Sequence, residues 1–142
     1  METIYIQYFH DDSPRLEKIS KGNWIDLYLA EDIMLASGQR AYLPLGVAME
    51  LPEGYEAIMA PRSSTFKRWG LLQTNNIGII DSTFCGPEDE WKMPVLATRD
   101  VKIPKGTRLC QFRIQKEQPK INFLEVKKLT NKNREGLGST GA

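Results

Sequence analysis

Two short segments concentrate the residues that can do chemistry. Pro61-Arg62-Ser63-Ser64-Thr65 sets a guanidinium beside clustered hydroxyls. At the start of a turn or helix, exposed backbone N–H groups add to this, and the combination suits a phosphate. Further on, Asn75-Asn76-Ile77-Gly78-Ile79-Ile80-Asp81 ends an apolar run on one carboxylate, with an amide side chain six residues before it. A phosphate clamp close to a lone, held carboxylate suggests attack of an activated water on a phosphate ester, with Asp81 as general base. Each segment also has a plainer reading. Arg62 to Ser64 can be a helix cap with a surface arginine. Asp81, followed by Ser82-Thr83-Phe84-Cys85-Gly86, can be a structural turn residue. Phe84 can be core, or a face against which a sugar ring packs.

The elements that must position these residues read as short strands separated by turns. Thr3 to Tyr8 alternates, and Trp24 to Leu29 is a second strand. Gly46 to Glu50 meets the turn Leu51-Pro52-Glu53-Gly54, and Tyr55 to Ala60 returns from it. Ile103-Pro104-Lys105-Gly106 repeats that turn chemistry before a strand over Thr107 to Ile114, and Ile121 to Leu129 is expected as a last strand. One short helix is expected over Ser63 to Trp69, capped by Ser63 or Ser64 and ended by Gly70. The pattern predicts an all-β sandwich or barrel with one short helix. Residues 1–130 form one β domain, and 131–142, rich in Gly, Ser, Thr and Asn, form a flexible C-terminal arm.

Bulk properties narrow the function classes. The 142 residues suffice for one domain with its own core. Lys+Arg is 19 against 18 Asp+Glu, so the total charge of +1 gives no reason to expect a nucleic-acid or membrane partner. No start resembling a signal peptide and no apolar run of membrane-spanning length is visible. Cys85 and Cys110 lack a CxxC spacing and read as two reduced thiols of a cytoplasmic protein. His10 is the only histidine and sits in a polar turn, which leaves little for a zinc site or a Ser-His-Asp triad. Any metal should be a hard cation met by carboxylate, water and phosphate oxygens. Gly136-Leu137-Gly138-Ser139-Thr140-Gly141 is formally GxGxxG, but no helix can follow it, so a dinucleotide fold is excluded. The stretch can still wrap phosphates with backbone N–H groups and the Ser139 and Thr140 hydroxyls. No GxxxxGK[ST] exists, which argues against a P-loop NTPase.

Taken together, five segments resemble the five ordered motifs of the trimeric dUTPases. They are Trp24-Ile25-Asp26-Leu27; Pro61-Arg62-Ser63-Ser64 with Lys67 and Gly70; Asn75 through Gly86 around Gly78-Ile79-Ile80-Asp81; Gly106-Thr107-Arg108-Leu109-Cys110-Gln111; and Gly138-Ser139-Thr140-Gly141. Singly each is weak; five in this order are specific. The resemblance implies a jelly-roll-like β fold and a homotrimer with three shared active sites. It also implies Mg²⁺-dependent hydrolysis of dUTP to dUMP and pyrophosphate. On that resemblance Asp81 activates the water that attacks the α-phosphorus. Asn75 and the backbone of Gly78 to Asp81, Ile80 included, read the uracil edge. Arg62, Ser63, Ser64 and Gln111 bind phosphates from a neighbouring subunit, and Asp26 orients waters of the Mg²⁺. The arm closes over the substrate, with Ser139 and Thr140 on the γ-phosphate and Gly138 among the substrate-binding residues.

Three departures from the family pattern stand out. The sugar-stacking tyrosine is Phe84, which keeps the ring face and loses the phenol oxygen. The aromatic of the arm is Leu137, which covers a base without stacking, and Trp91 is a candidate substitute beside its reading as core. The arm's arginine is displaced: Lys132 holds the aligned place and Arg134 lies two residues closer. The acidic Pro87-Glu88-Asp89-Glu90-Trp91 is expected to face solvent. Two alternatives remain. A dCTP deaminase of the same superfamily carries a Thr-Leu-Glu stretch where this chain has Asp89-Glu90-Trp91-Lys92. A non-catalytic β-sandwich binding module would be expected to have lost catalytic positions, and Asp81, Asn75, Ser63 and Gln111 are all present.

Overall fold

The structure, a computed structural model, describes residues 1–136. Among them the chain forms eleven strands and one helix. The strands are β1 (Tyr5–Tyr8), β2 (Ile25–Tyr28), β3 (Ile33–Leu35), β4 (Arg40–Pro44), β5 (Val47–Glu50), β6 (Tyr55–Pro61), β7 (Leu71–Gln73), β8 (Gly78–Ile80), β9 (Lys92–Ala97), β10 (Val101–Ile103) and β11 (Arg108–Lys116), with α1 (Thr65–Trp69) between β6 and β7. A four-stranded sheet in the order β2-β11-β6-β8 and a three-stranded sheet in the order β4-β9-β7 carry most of the chain, and the pairs β1-β5 and β3-β10 complete it. Every pairing is antiparallel. This is the expected all-β, jelly-roll-like architecture.

Period-two alternation builds the core. Met93, Val95 and Ala97 of β9 turn inward between polar or half-buried neighbours, as do Ala57 and Met59 of β6. With Leu27, Leu71, Leu109 and Phe112 they merge into one apolar cluster filled by Trp91, whose ring meets Phe112 edge-on at 5.1 Å. The two Pro/Gly turns form where expected: the Tyr55 N–H donates to Pro52 O and the Thr107 N–H to Pro104 O, both at 3.2 Å.

Two expectations need correction. Helix α1 is not capped by a serine: Ser64 occupies the cap position without a side-chain bond. The hydroxyl in use is Thr65 Oγ1, which accepts the N–H of Arg62, ahead of the helix, at 2.9 Å and donates to Leu109 O at 3.0 Å, so it ties the turn before α1 to β11 and caps no helical N–H. Thr65 is buried, so it can reach β11 while Ser63 and Ser64 stay on the rim. Gly70 does end the helix, in the left-handed region at φ 65°, with its N–H on Phe66 O at 2.7 Å. The second correction concerns Ile121 to Leu129, which forms no strand. Its apolar alternation is real, but Phe123 and Leu124 are 93% and 81% exposed. A strand exists only where another backbone answers its N–H and C=O groups, and among the described residues none pairs with this segment.

Candidate active site

Asp81 follows β8 at the mouth of a cleft of about 600 Å³. Asn75, Gly78, Ile80 and Phe84 share that cleft, with Met59, Tyr42 and Trp91 around them. The base-side residues named from the sequence are therefore brought together. Gly78 sits opposite Met59 in the β6–β8 ladder, and a Cβ there would lie 3.3 Å from Met59 Cε and 3.4 Å from Asn75 Nδ2. A side chain here would press on both neighbours, so glycine suits the close approach of the Asn75 amide to this backbone. Phe84 is 41% exposed and presents its ring to the cleft rather than to the core.

The Asp81 carboxylate is oriented by its own turn. Oδ1 accepts both the Thr83 N–H at 2.8 Å and the Thr83 hydroxyl at 2.7 Å. Oδ2 has no protein donor among the described residues. The Thr83 hydroxyl first, then the Thr83 N–H, holds the Asp81 carboxyl below its ordinary value of 3.8. The group is thus ionised at neutral pH, fixed by one oxygen and free to accept a proton on the other. Thr83 went unnoticed in the sequence, although an Asx turn two residues after an Asp is a recurrent local pattern.

The acidic stretch behind Gly86 does not simply face solvent. Asp89 Oδ2 accepts the Gly86 N–H at 2.8 Å and Glu90 Oε2 accepts the Gly46 N–H at 2.9 Å, so both carboxylates cap backbone. Only Glu88 is fully exposed among the three. Trp91 is 1% exposed and belongs to the core, where it forms part of the cleft wall. It does not stand free to stack on a base.

The phosphate-side residues form a second cluster. Asp26 on β2 pairs in register with Gln111 on β11, and Cys110 pairs with Pro61 at the end of β6. Arg62 Nε lies 3.1 Å from Asp26 Oδ1, and Arg108 Nε lies 3.9 Å from Oδ2. Gln111 Nε2 donates to Pro61 O at 3.1 Å, which fixes it beside the arginine. Ser63 is exposed and Ser64 half-buried at the same rim. Cys110 turns inward instead: burial first, then the Asp26 charge, pushes its thiol far above the usual range, so it is inert at neutral pH. Both cysteines are free.

The two clusters do not meet. None of Asp26, Arg62, Ser63, Ser64 or Gln111 lines the Asp81 cleft. Ile80, the residue before Asp81, pairs with Ala57 of β6. Arg62 lies beyond the far end of that strand, about 16 Å away at the rise of an extended chain. Arg134 is exposed in the segment after β11. Leu137, Gly138, Ser139 and Thr140 lie outside the described residues. Among those described, no group of three or more His, Cys, Asp or Glu is placed to hold a metal ion.

The family model described as dUTPase matches residues 20–141. Over 138 residues the chain is 50% identical to the SPbeta prophage-derived deoxyuridine 5'-triphosphate nucleotidohydrolase of Bacillus subtilis, with 97% of both sequences covered. Its fold is similar to that of Staphylococcus bacteriophage 80alpha dUTPase with dUPNHPP, at a TM-score of 0.78 and 19% identity over 99% of each chain. It is also similar to a variant dUTPase from phage phi11 of S. aureus, a structure that concerns the coordination of a structural Mg(II) ion. There the TM-score is 0.75, with 17% identity over 89% of this chain and 99% of that one.

Proposed function

The chain belongs to the dUTPase family and is a dUTP diphosphatase, and from that premise we propose that Asp81 is the general base of dUTP hydrolysis to dUMP and pyrophosphate. The observation that carries this is the Asp81 carboxylate itself, pinned through Oδ1 by Thr83 and open at Oδ2 beside the Asn75–Gly78 turn. A water held at Oδ2 loses its proton there as its oxygen attacks the α-phosphorus. The bond to the bridging oxygen breaks, and pyrophosphate leaves with that oxygen. The uracil edge, one N–H between two carbonyls, meets the Asn75 amide and the backbone from Gly78 to Asp81. A hairpin this close leaves no room for the 5-methyl of thymine and presents the wrong partners to cytosine. The Phe84 ring packs under the deoxyribose, where a 2′-hydroxyl would collide.

The separation of the two clusters supports a homotrimer in which Arg62, Ser63, Ser64 and Gln111 of one subunit serve the Asp81 of another. The exposed apolar residues of the segment after β11, Phe123 and Leu124 among them, fit burial on a neighbouring subunit. The arm from 131 onward would then close over the nucleotide, with Arg134, Leu137, Gly138, Ser139 and Thr140 against base and γ-phosphate. Asp26 suits an outer-shell part in Mg²⁺ binding, because Arg62 and Arg108 already face its two oxygens. It would meet a water of the ion while the phosphates supply direct ligands. When bound, Mg²⁺ neutralises phosphate charge. Two free thiols suit a reducing compartment, and we place the protein in the cytoplasm.

Incubation with Mg²⁺ and, separately, dUTP, dCTP, dTTP and UTP tests the activity. Pyrophosphate from dUTP alone is expected. Ammonia from dCTP would instead make the protein a deaminase, and silence with all four would leave a binding module. The base assignment has its own signature in pH. Hydrogen bonds from Thr83 favour the ionised form, so the base is active above its depressed pKa and is lost only as pH falls below the ordinary carboxylate range. Thr83→Val deletes the hydroxyl and keeps the backbone donor. The acid limb of kcat/KM should therefore move to higher pH, with the neutral plateau in place. An acid limb that stays put would remove Asp81 as the group that titrates.

A further inference from the structure

We propose that Gln73 is a positioning residue that holds the base-reading turn in shape and thereby sets base selectivity. It rests on the reading that Asn75 and Gly78 contact uracil. Gln73 ends β7 and is 6% exposed; with Thr65 it is one of two buried polar residues among those described. An amide is a costly occupant of such a place, since its polar atoms leave water for a site that must satisfy them. Its nitrogen is satisfied: Nε2 donates to Met59 O at 3.1 Å and to Asn76 O at 3.3 Å. Its oxygen, Oε1, has no protein partner among the described residues. The two bonds that are made both come from the nitrogen.

What those bonds connect explains their use. Met59 is the β6 residue directly opposite Gly78, and Asn76 is the residue between Asn75 and Ile77 in the turn. One amide thus bridges the strand behind the base-reading edge and the turn that carries Asn75. The main chain of Gln73 contributes too, because its O accepts the Asn76 N–H at 3.2 Å. The turn needs this support. Asn76 lies at φ 56°, in the left-handed region that asparagine tolerates better than most side chains, and Ile77 N–H closes tightly on Asn75 O at 2.5 Å. Asn75, Asn76 and Ile77 are all exposed, so among the described residues of one chain none packs over them. Selectivity between uracil and cytosine depends on donors and acceptors staying within hydrogen-bond tolerance of one edge, and a turn free to shift loses that discrimination before it loses the fold.

Gln73→Met keeps the volume and removes both polar atoms, at the cost of taking the donor from Met59 O and Asn76 O. The expected result is a folded trimer with a KM for dUTP raised about tenfold, kcat changed far less, and a dUTP-to-dCTP ratio of kcat/KM lowered about tenfold. A merely structural role would not move that ratio. If Gln73→Met fails to fold, Gln73→Asn is measured instead, since it keeps the amide but is one methylene too short to bridge both carbonyls; the same losses are expected. Normal KM and selectivity in a folded variant would overturn the proposal. Failure of both variants to fold would also overturn it, by making Gln73 a requirement of the fold. Asn75→Ala is run beside them. If it keeps full selectivity, the uracil-reading assignment falls and the proposal with it. If Asn75→Ala loses selectivity and Gln73→Met keeps it, only the role of Gln73 is refuted.

Discussion

Asp81→Asn should lower kcat by about 10²-fold or more and leave assembly and Tm unchanged. The physical grounds for both halves are local. Asp81 is exposed and, among the described residues, makes no ion pair; its side-chain hydrogen bonds are to Thr83, two residues away. Asparagine retains an oxygen that can accept both Thr83 donors, so the turn leading to Phe84 keeps its shape. What is lost is the basic Oδ2, the atom that would take the proton from water. KM for dUTP should therefore move little, because neither the Asn75 turn nor the phosphate cluster is touched. Pyrophosphate release measured beside oligomer mass and thermal unfolding separates these effects. Near-normal turnover in a folded Asp81→Asn protein would show that another group activates the water.

A second large effect is expected when two inactive variants are mixed. Arg62→Ala removes the cation of the phosphate cluster and should lower kcat/KM by about 10²-fold, in keeping with the loss of a charge-assisted phosphate contact. The fold should survive, since Arg62 is half-buried and Asp26 still faces Arg108. If each site takes Asp81 from one subunit and Arg62 from another, unfolding Asp81→Asn and Arg62→Ala together and refolding them at equal ratio creates intact sites. Random assembly gives about a quarter of sites with both native residues. Activity should rise to about that fraction of the native rate from two nearly silent parents. A site built within one chain gives no recovery at any ratio, because every chain carries one lesion. The two outcomes differ by more than tenfold, so an ordinary pyrophosphate assay decides between them.

Much of the site was legible in the sequence, and each legible part was local. The Pro/Gly turns, the stop at Gly70, the exposed carboxylate after an apolar strand and the amide of Asn75 depend on residues a few positions apart. Their geometry follows from backbone preference and period-two alternation. The same local reading put a strand over Ile121 to Leu129, because alternation records which faces are apolar and says nothing of whether a partner backbone is within reach. It also points to a serine hydroxyl as the cap of α1, whereas the hydroxyl that bonds is Thr65's, which ties the preceding turn to β11 because that strand passes near enough to take it.

Tertiary structure alone decided the rest, and in each case the deciding contact joins residues far apart in the chain. Asp26 meets Arg62 and Arg108 because β2, β6 and β11 are neighbours in one sheet. Gln73 acquires a role only when β6 brings Met59 O against its amide. The register of β6 with β8 and β11 holds the phosphate cluster and the Asp81 cleft apart within one chain, although Arg62 and Asp81 are near in sequence. The sequence by itself determined the inventory of reactive groups and the turns that present them. Strand order and register determined which groups can act together, because hydrogen-bonded pairing between distant strands is set by the whole sheet and not by any one segment.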